Sequence, residues 1–323
     1  MIENSDNSKP QTKAPFCLLV IVAAFAYFLS FLFFYPKAIL ITDEVSYIGK
    51  ALHLVDFSDS LLVNSNNWIS IYPPGTSLSL IPFTLIFGWK GAFLLGALTL
   101  IGAMLVLALL LKRLILPQYP AVLLMLYLPA FVLGRHAMSD LPSTLLVSLF
   151  LFGVFLADNL NKSTLFVLGL CGGLSCLFRE TNIVVIFPFV LGCLFRRKRS
   201  CLPLVLGAAV GVFVRLPAYH YMIGSAFHLI RGTPFNPSAF PENFALYFFS
   251  LAILIPGGVW GVVKSKLPFR LETASAILLT LGIYSFYSYS GMESGILRQL
   301  ILGPRYLLPI APLVLLALAS SLD

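Results

Sequence analysis

The feature that most constrains this chain is a series of long apolar runs separated by short polar segments. They fall at about 16–35, 91–111, 119–134, 141–157, 164–178, 182–195, 201–217, 244–263, 271–290 and 305–320. A helix needs roughly 20 apolar residues to cross the hydrocarbon of a bilayer, and several of these runs reach that length. A soluble core has no room for so many. Only 11% of the residues are charged and 59% are hydrophobic, against a globular norm of about 25% charged. In lipid each span must satisfy its own backbone hydrogen bonds, so the expected fold is all-α, a polytopic transmembrane helical bundle of about ten spans. The runs at 164–178 and 182–195 are short, which leaves thin spans, tilted pieces or a broken pair open.

The first run follows a polar, mildly basic leader, 1–15, and has no small-x-small cleavage pattern, so it reads as an uncleaved anchor. Thr76–Phe87 is apolar but too short to cross, and is expected to lie in the interface or re-enter it. Lys and Arg in short loops set orientation. With the N-terminus in the cytoplasm, Lys9, Lys13, Lys112, Arg113, Lys162, the run Arg196–Arg199, Lys264, Lys266 and Arg270 share the cytoplasmic side. Asp43, Glu44, Asp140, Arg179, Glu180, Arg231, Glu242, Glu293, Arg298 and Arg305 then share the opposite face. The expected organisation is one integral membrane domain over 1–323, with a large first outer loop at 36–90 and no soluble C-terminal domain. The net charge of +8 is accounted for by these topology-setting residues, so nucleic acid is not an expected partner and the lipid bilayer is. The five cysteines sit in or beside apolar runs with no metal-like spacing to histidine, and read as buried thiols. Asn161-Lys162-Ser163 matches a glycosylation sequon but falls in a cytoplasmic loop, and is assigned to chance.

Asp43 and Glu44, just beyond the first run, are the leading candidates for chemistry, because charge beside hydrocarbon is costly unless it is paired, solvated or used. The plain alternative is that they cap the helix beginning there. Asp140 is a second candidate, with Arg135 and His136 beside it. Its alternative is an N-cap for the helix opening at Leu141-Pro142. Arg179 and Arg305 suit an anionic phosphate through their planar fork and persistent charge; their alternative is structural ion pairing, Arg179 with Glu180 or Glu293. Arg215, inside an apolar run near its outer end, is either a third such candidate or a residue that snorkels to the interface, and the second is the expectation. Tyr72-Pro73-Pro74-Gly75 reads as a rigid turn that delivers the short helix and sets Tyr72 at the edge of the site. Tyr284–Tyr289 reads most simply as an interfacial aromatic belt.

Four of these segments, in order, resemble a known family. Asp43-Glu44, the Tyr72–Gly75 turn, Gly134-Arg135-His136-Ala137-Met138-Ser139-Asp140-Leu141-Pro142 and Gly303-Pro304-Arg305-Tyr306 are similar to GT-C membrane glycosyltransferases of the protein O-mannosyltransferase-like and aminoarabinose-transferase-like kinds. The likeness runs over about 16–320. It implies inverting transfer of a sugar from a polyprenyl-phosphate carrier to an outer-face lipid, glycan or protein, in the inner membrane of a bacterium, with no nucleotide at the site. On that likeness Asp43 is the base that accepts the acceptor's proton, Glu44 positions it, and Asp140 orients the acceptor, pairs with an arginine or helps hold a divalent metal. Arg179 and Arg305 bind the donor phosphate, and Tyr72, Arg135, His136 and Tyr306 line the substrate. The aminoarabinose branch has a lysine near Tyr72–Gly75 and this chain has none there, a departure from that branch's pattern. The rival readings are a transporter or flippase for a lipid-linked solute, which calls for midplane charges and paired broken helices, and an inactive scaffold of the same architecture.

Overall fold

The computed structural model describes residues 17–40, 42–56, 72–196, 199–223, 235–287 and 303–323. The leader, Arg197, Lys198, Arg231, Glu293, Arg298 and the end of the Tyr284–Tyr289 belt lie outside them. Among the described residues the chain is helical apart from one isolated bridge, Phe235 with Tyr287. The helices are α1 (Leu18–Phe33), α2 (Thr42–Asp56), α3 (Pro74–Phe87), α4 (Phe93–Arg113), α5 (Leu123–Leu126), α6 (Leu128–Leu133) and α7 (Asp140–Phe155). There follow α8 (Lys162–Ser175), α9 (Asn182–Phe195), α10 (Leu202–Ile223), α11 (Phe240–Leu254), α12 (Gly258–Lys264), α13 (Arg270–Ser285) and α14 (Ala311–Ser321).

These helices fill the expected apolar runs, but not each as one rod. The helical stretch Pro74–Arg113 is 40 residues long, roughly 60 Å if straight at 1.5 Å per residue. It is not straight. Gly88 at φ +61° takes a conformation that glycine adopts without strain, and the turn brings Gly91 directly against Phe83 of α3. α3 is therefore a separate short helix packed on α2, as the length of its apolar run requires. The run at 119–134 is divided into a 3-10 turn and the short α5 and α6, broken at Tyr127 ahead of Leu128-Pro129. The run at 244–263 bends by 94° between α11 and α12, at Gly257. Leu202–His220 and Pro304–Ser321 are long and apolar enough to cross a membrane, whereas α1, α7, α8 and α9 are shorter apolar helices.

Packing sets a common polarity. α8 and α10 run side by side at very close range: a Cβ on Gly173 would lie 2.2 Å from the Ala208 carbonyl oxygen, the small-residue contact that lets helices approach in lipid. α7 and α9 run opposite to α8, so the starts of α7 and α9 and the ends of α8, α10 and α13 meet at one rim. The other rim collects Lys112, Arg113, Lys162, Arg196, Lys264 and Arg270. It is not purely basic. Arg196 pairs with both oxygens of Glu272 at 2.7 and 2.8 Å, and Asp158 accepts from Ser200. Asn161 caps α8 by accepting from the Thr164 N–H at 2.8 Å, so its side chain has a structural task.

Candidate active site

Asp43 and Glu44 open α2, and their side chains diverge. Glu44 is fully buried. Its carboxylate accepts from the backbone N–H of Leu40 at 3.1 Å and of Ala137 at 2.9 Å, and meets His136 Nδ1 at 3.0 Å. It stitches the start of α2 to the segment before α7, and His136 is part of that stitch. Asp43 instead faces the rim with 22% of its side chain exposed. Its Oδ1 accepts from the Tyr72 hydroxyl at 2.7 Å, and its Oδ2 lies 3.7 Å from Arg305. Burial first, and then the Asp43 charge, push the Tyr72 phenol up, so Tyr72 stays protonated and donates.

Tyr72 reaches this point because Pro73 and Pro74 fix the backbone into α3. Gly75 then donates to Leu177 O at 2.9 Å, and a Cβ there would sit 2.7 Å from the same carbonyl. Only glycine lets α3 rest on the turn that carries Arg179. In that turn Arg179 Nη1 donates to Asp140 Oδ1 at 2.6 Å. Asp140 is 1% exposed and makes no side-chain cap; it is in the first turn of α7 with its carboxylate on Arg179. Burial opposes the Arg179 charge most strongly, but Asp140, Tyr284 and Tyr306 together more than offset it, so the guanidinium is held above its ordinary range.

Tyr306 joins the two halves. The guanidinium carbons of Arg179 and Arg305 lie 4.8 and 4.9 Å from its ring, within cation–π range. Arg305 also donates to the Tyr306 hydroxyl at 2.9 Å. An unbroken series of contacts thus runs Asp43, Arg305, Tyr306, Arg179, Asp140. Tyr284 stacks on Tyr306 at 5.0 Å and is hydrogen-bonded to Thr181, so it is a buried wall of the cluster and not a member of an interfacial belt. Tyr47, one turn beyond Asp43 on α2, packs at 5.3 Å on Tyr72. The Arg305 Nε and the hydroxyls of Ser46, Thr76, Ser77, Ser143 and Tyr247 are buried with no hydrogen-bond partner among the described residues. The first four of these hydroxyls each lie within about one helical turn of Asp43, Tyr72 or Asp140. Polar atoms buried in this way call for a polar ligand or water.

Several sequence-derived residues sit elsewhere. Arg135 is turned to the end of α1, donating to Ser30 O at 3.2 Å, Ser30 Oγ at 2.9 Å and Phe34 O at 3.0 Å, a cation on a helix C-terminus. Arg179 pairs with Asp140 and not with Glu180. Arg215 does not snorkel freely: it binds Glu180, because a guanidinium in an apolar run is far cheaper when paired. No group of three or more His, Cys, Asp or Glu side chains that could hold a metal ion occurs among the described residues.

No protein-family model matches the chain, and no curated protein does. Two solved structures match in fold. ArnT from Cupriavidus metallidurans bound to undecaprenyl phosphate superposes with a TM-score of 0.64 at 14% identity. The same protein in the apo state gives 0.63 at 16%. This chain has the ArnT fold. The match covers 94% of this chain and 59% of the ArnT chain, so the chain spans somewhat over half the length of the protein it resembles. The all-helical fold expected from the apolar runs is thus observed.

Proposed function

We propose that the chain is an inverting glycosyltransferase that moves a sugar from a polyprenyl-phosphate carrier to a lipid, glycan or protein acceptor at the extracytoplasmic face. The observation that carries this reading is the contact series from Asp43 to Asp140, set at one rim of an ArnT-like fold. Asp43 is the one carboxylate of the series that is both partly open and held by a neutral donor, which fits a base that takes a hydroxyl proton. A base placed in this way contributes on the order of 10² to 10⁴ in rate. Arg305, whose Nε is buried without an acceptor among the described residues, and Arg179 would neutralise the departing lipid phosphate, as fixed cations do best in a dry site. Asp140 acts through Arg179 as a positioning residue, and Glu44 through the backbone it ties. A base and two fixed cations held together in one contact series is the positioning that such a transfer draws on. The carrier class is supported by the ArnT structure, which is one bound to undecaprenyl phosphate. Placement in a bacterial cytoplasmic membrane with the site outside is supported by the Lys and Arg residues at the opposite rim.

The test is transfer of labelled sugar from a polyprenyl-phosphate donor in membranes carrying the chain. Arg305→Ala should raise the apparent KM for donor at least as much as it lowers kcat, with acceptor dependence little changed. Equal loss toward both substrates would give Arg305 a structural role, and no transfer from any polyprenyl-phosphate sugar by the intact chain would remove the reading.

A further inference from the structure

The lysines and arginines of the basic rim follow from topology, since such residues gather on one side of a membrane. Lys37 and Lys90 stand at the opposite rim, with Asp43, and that rule calls for neither. α4 fixes their level. Its 21 residues run about 31 Å at 1.5 Å per residue, the thickness of a hydrocarbon core, with Lys112 and Arg113 at one end and the turn that holds Lys90 just before the other. Lys37 follows the end of α1, and the Tyr35 hydroxyl donates to the Lys90 carbonyl at 2.5 Å, so one contact joins the two lysine-bearing segments. Arg135 donates to Phe34 O and Ser30 O of the same α1 end, carbonyls that leave its charge uncancelled. Arg179, Arg215 and Arg305 at this rim each face a carboxylate. Lys37 and Lys90 are exposed, and neither has an ion-pair partner among the described residues. The same segments carry Phe33 and Phe34, 83% and 64% exposed, and Ile86 and Phe87, 71% and 59% exposed. The Trp89 ring lies 5.7 Å from Lys90 Nζ.

We infer that Lys37 and Lys90, with Arg135 as a fixed charge beside them, dock the phosphate of an anionic lipid in the leaflet at the Asp43 rim, its chains lying against Phe33, Phe34, Ile86 and Phe87. The two ammonium groups are free to turn toward phosphate oxygens, and charge-assisted hydrogen bonds of this kind are strong. A zwitterionic headgroup brings its own cation up to three positive charges, so the patch selects a headgroup of net negative charge. Aromatic rings beside the lysines suit the depth at which headgroup gives way to chain. The inference does not depend on the Asp43 cluster being catalytic.

The probe is brominated phosphatidylglycerol, titrated into phosphatidylcholine nanodiscs that hold the full chain. Trp68→Phe and Trp260→Phe leave Trp89 as the one tryptophan, and bromine quenches its fluorescence on contact. A cation at a membrane surface strengthens binding of anionic lipid by about fivefold. Brominated phosphatidylglycerol should therefore quench Trp89 at a mole fraction about thirtyfold lower than brominated phosphatidylcholine does. Lys37→Gln together with Lys90→Gln should cut that preference to about fivefold or less, while Lys264→Gln at the opposite rim should leave it in place. Equal quenching by the two lipids, a preference unchanged in the double lysine variant, or the same loss in Lys264→Gln would overturn the proposal. Relief of the quenching by glycerol phosphate at matched ionic strength would assign the patch to a soluble phosphate and overturn its lipid part.

Discussion

The triads Asp43–Tyr72–Arg305 and Glu180–Tyr219–Arg215 use the same three kinds of group. In each, a tyrosine donates to the carboxylate at 2.7 or 2.8 Å, and an arginine beside it keeps a buried Nε without a partner among the described residues. They differ in tension and setting. Glu180 holds Arg215 in a direct hydrogen bond, whereas Asp43 and Arg305 stand 3.7 Å apart, with Arg305 shared among Asp43, Tyr306 and the field of Asp140. The second triad joins only two neighbouring elements, the turn before α9 and α10, whose members are 35 and 39 residues apart. The first is assembled from three distant segments and backed by buried tyrosines. A closed ion pair has little left to give a reaction; a loose one leaves both its base and its cation available. On the proposed function the first triad is the one that does chemistry, and the second is a structural ion pair that ties the turn before α9 to α10.

The most severe break of this contrast is Asp43→Asn, expected to lower transfer by about 10² to 10⁴ in radiolabelled-sugar assays. Glu180→Gln should cost less than about tenfold, and equal losses would erase the distinction. Next is Asp140→Ala, which strands Arg179 against Tyr306. Removing one partner of a buried pair costs about 3–5 kcal/mol, so detergent thermal unfolding should fall clearly. An unchanged midpoint would mean that solvent already shares the charge.

A smaller effect belongs to Lys50, two turns past Asp43 on α2 and 5% exposed. Burial pulls its amine from 10.5 to about 8. Between those values the unfolded chain binds the extra proton, so stability should rise with pH across the window, by at most about 1.4 kcal/mol per pH unit. Below about 8 the cost of burying the charge is fully present. Thermal scans from pH 8 to 10 should show this rise, and Lys50→Met should flatten it; a fall over the same range would contradict the assignment. The mildest change is Tyr72→Phe, which removes one donor from Asp43. At about 0.5–1.5 kcal/mol it should cost transfer several-fold and stability little, whereas Tyr219→Phe should leave transfer closer to wild type.

Much of the site was legible because apolar runs alternate direction: once their order is known, Asp43, Asp140, Arg179 and Arg305 must share a rim. The Tyr72–Gly75 turn was legible through its prolines, which act locally. Pairing within the rim was not. Whether Arg179 meets Asp140, Glu180 or Glu293 depends on rotations of α7, α8 and α9 that a series of uniformly apolar residues does not record. Arg135 and Glu44 looked like site groups for the same reason, since a charge that serves a backbone and one that serves a substrate read alike. Tyr284 was hidden among neighbouring aromatic residues. The breaks at Tyr127 and Gly257 had signals in Pro129 and Gly257-Gly258, but composition-based runs pass over them.

The turn at 177–181 deserves a last consequence. Its Leu177 carbonyl receives α3, Arg179 goes to α7, Glu180 to α10 and Thr181 to α13, while Asn182 reaches back to Ser175 at 3.0 Å. Connecting segments ordinarily tolerate gains and losses of length. This one meshes with four helices like a gear, and inserting a single residue would turn each tooth to the wrong neighbour at once. Its length is set by the molecule's whole upper face, a degree of constraint more usual in the middle of a core helix.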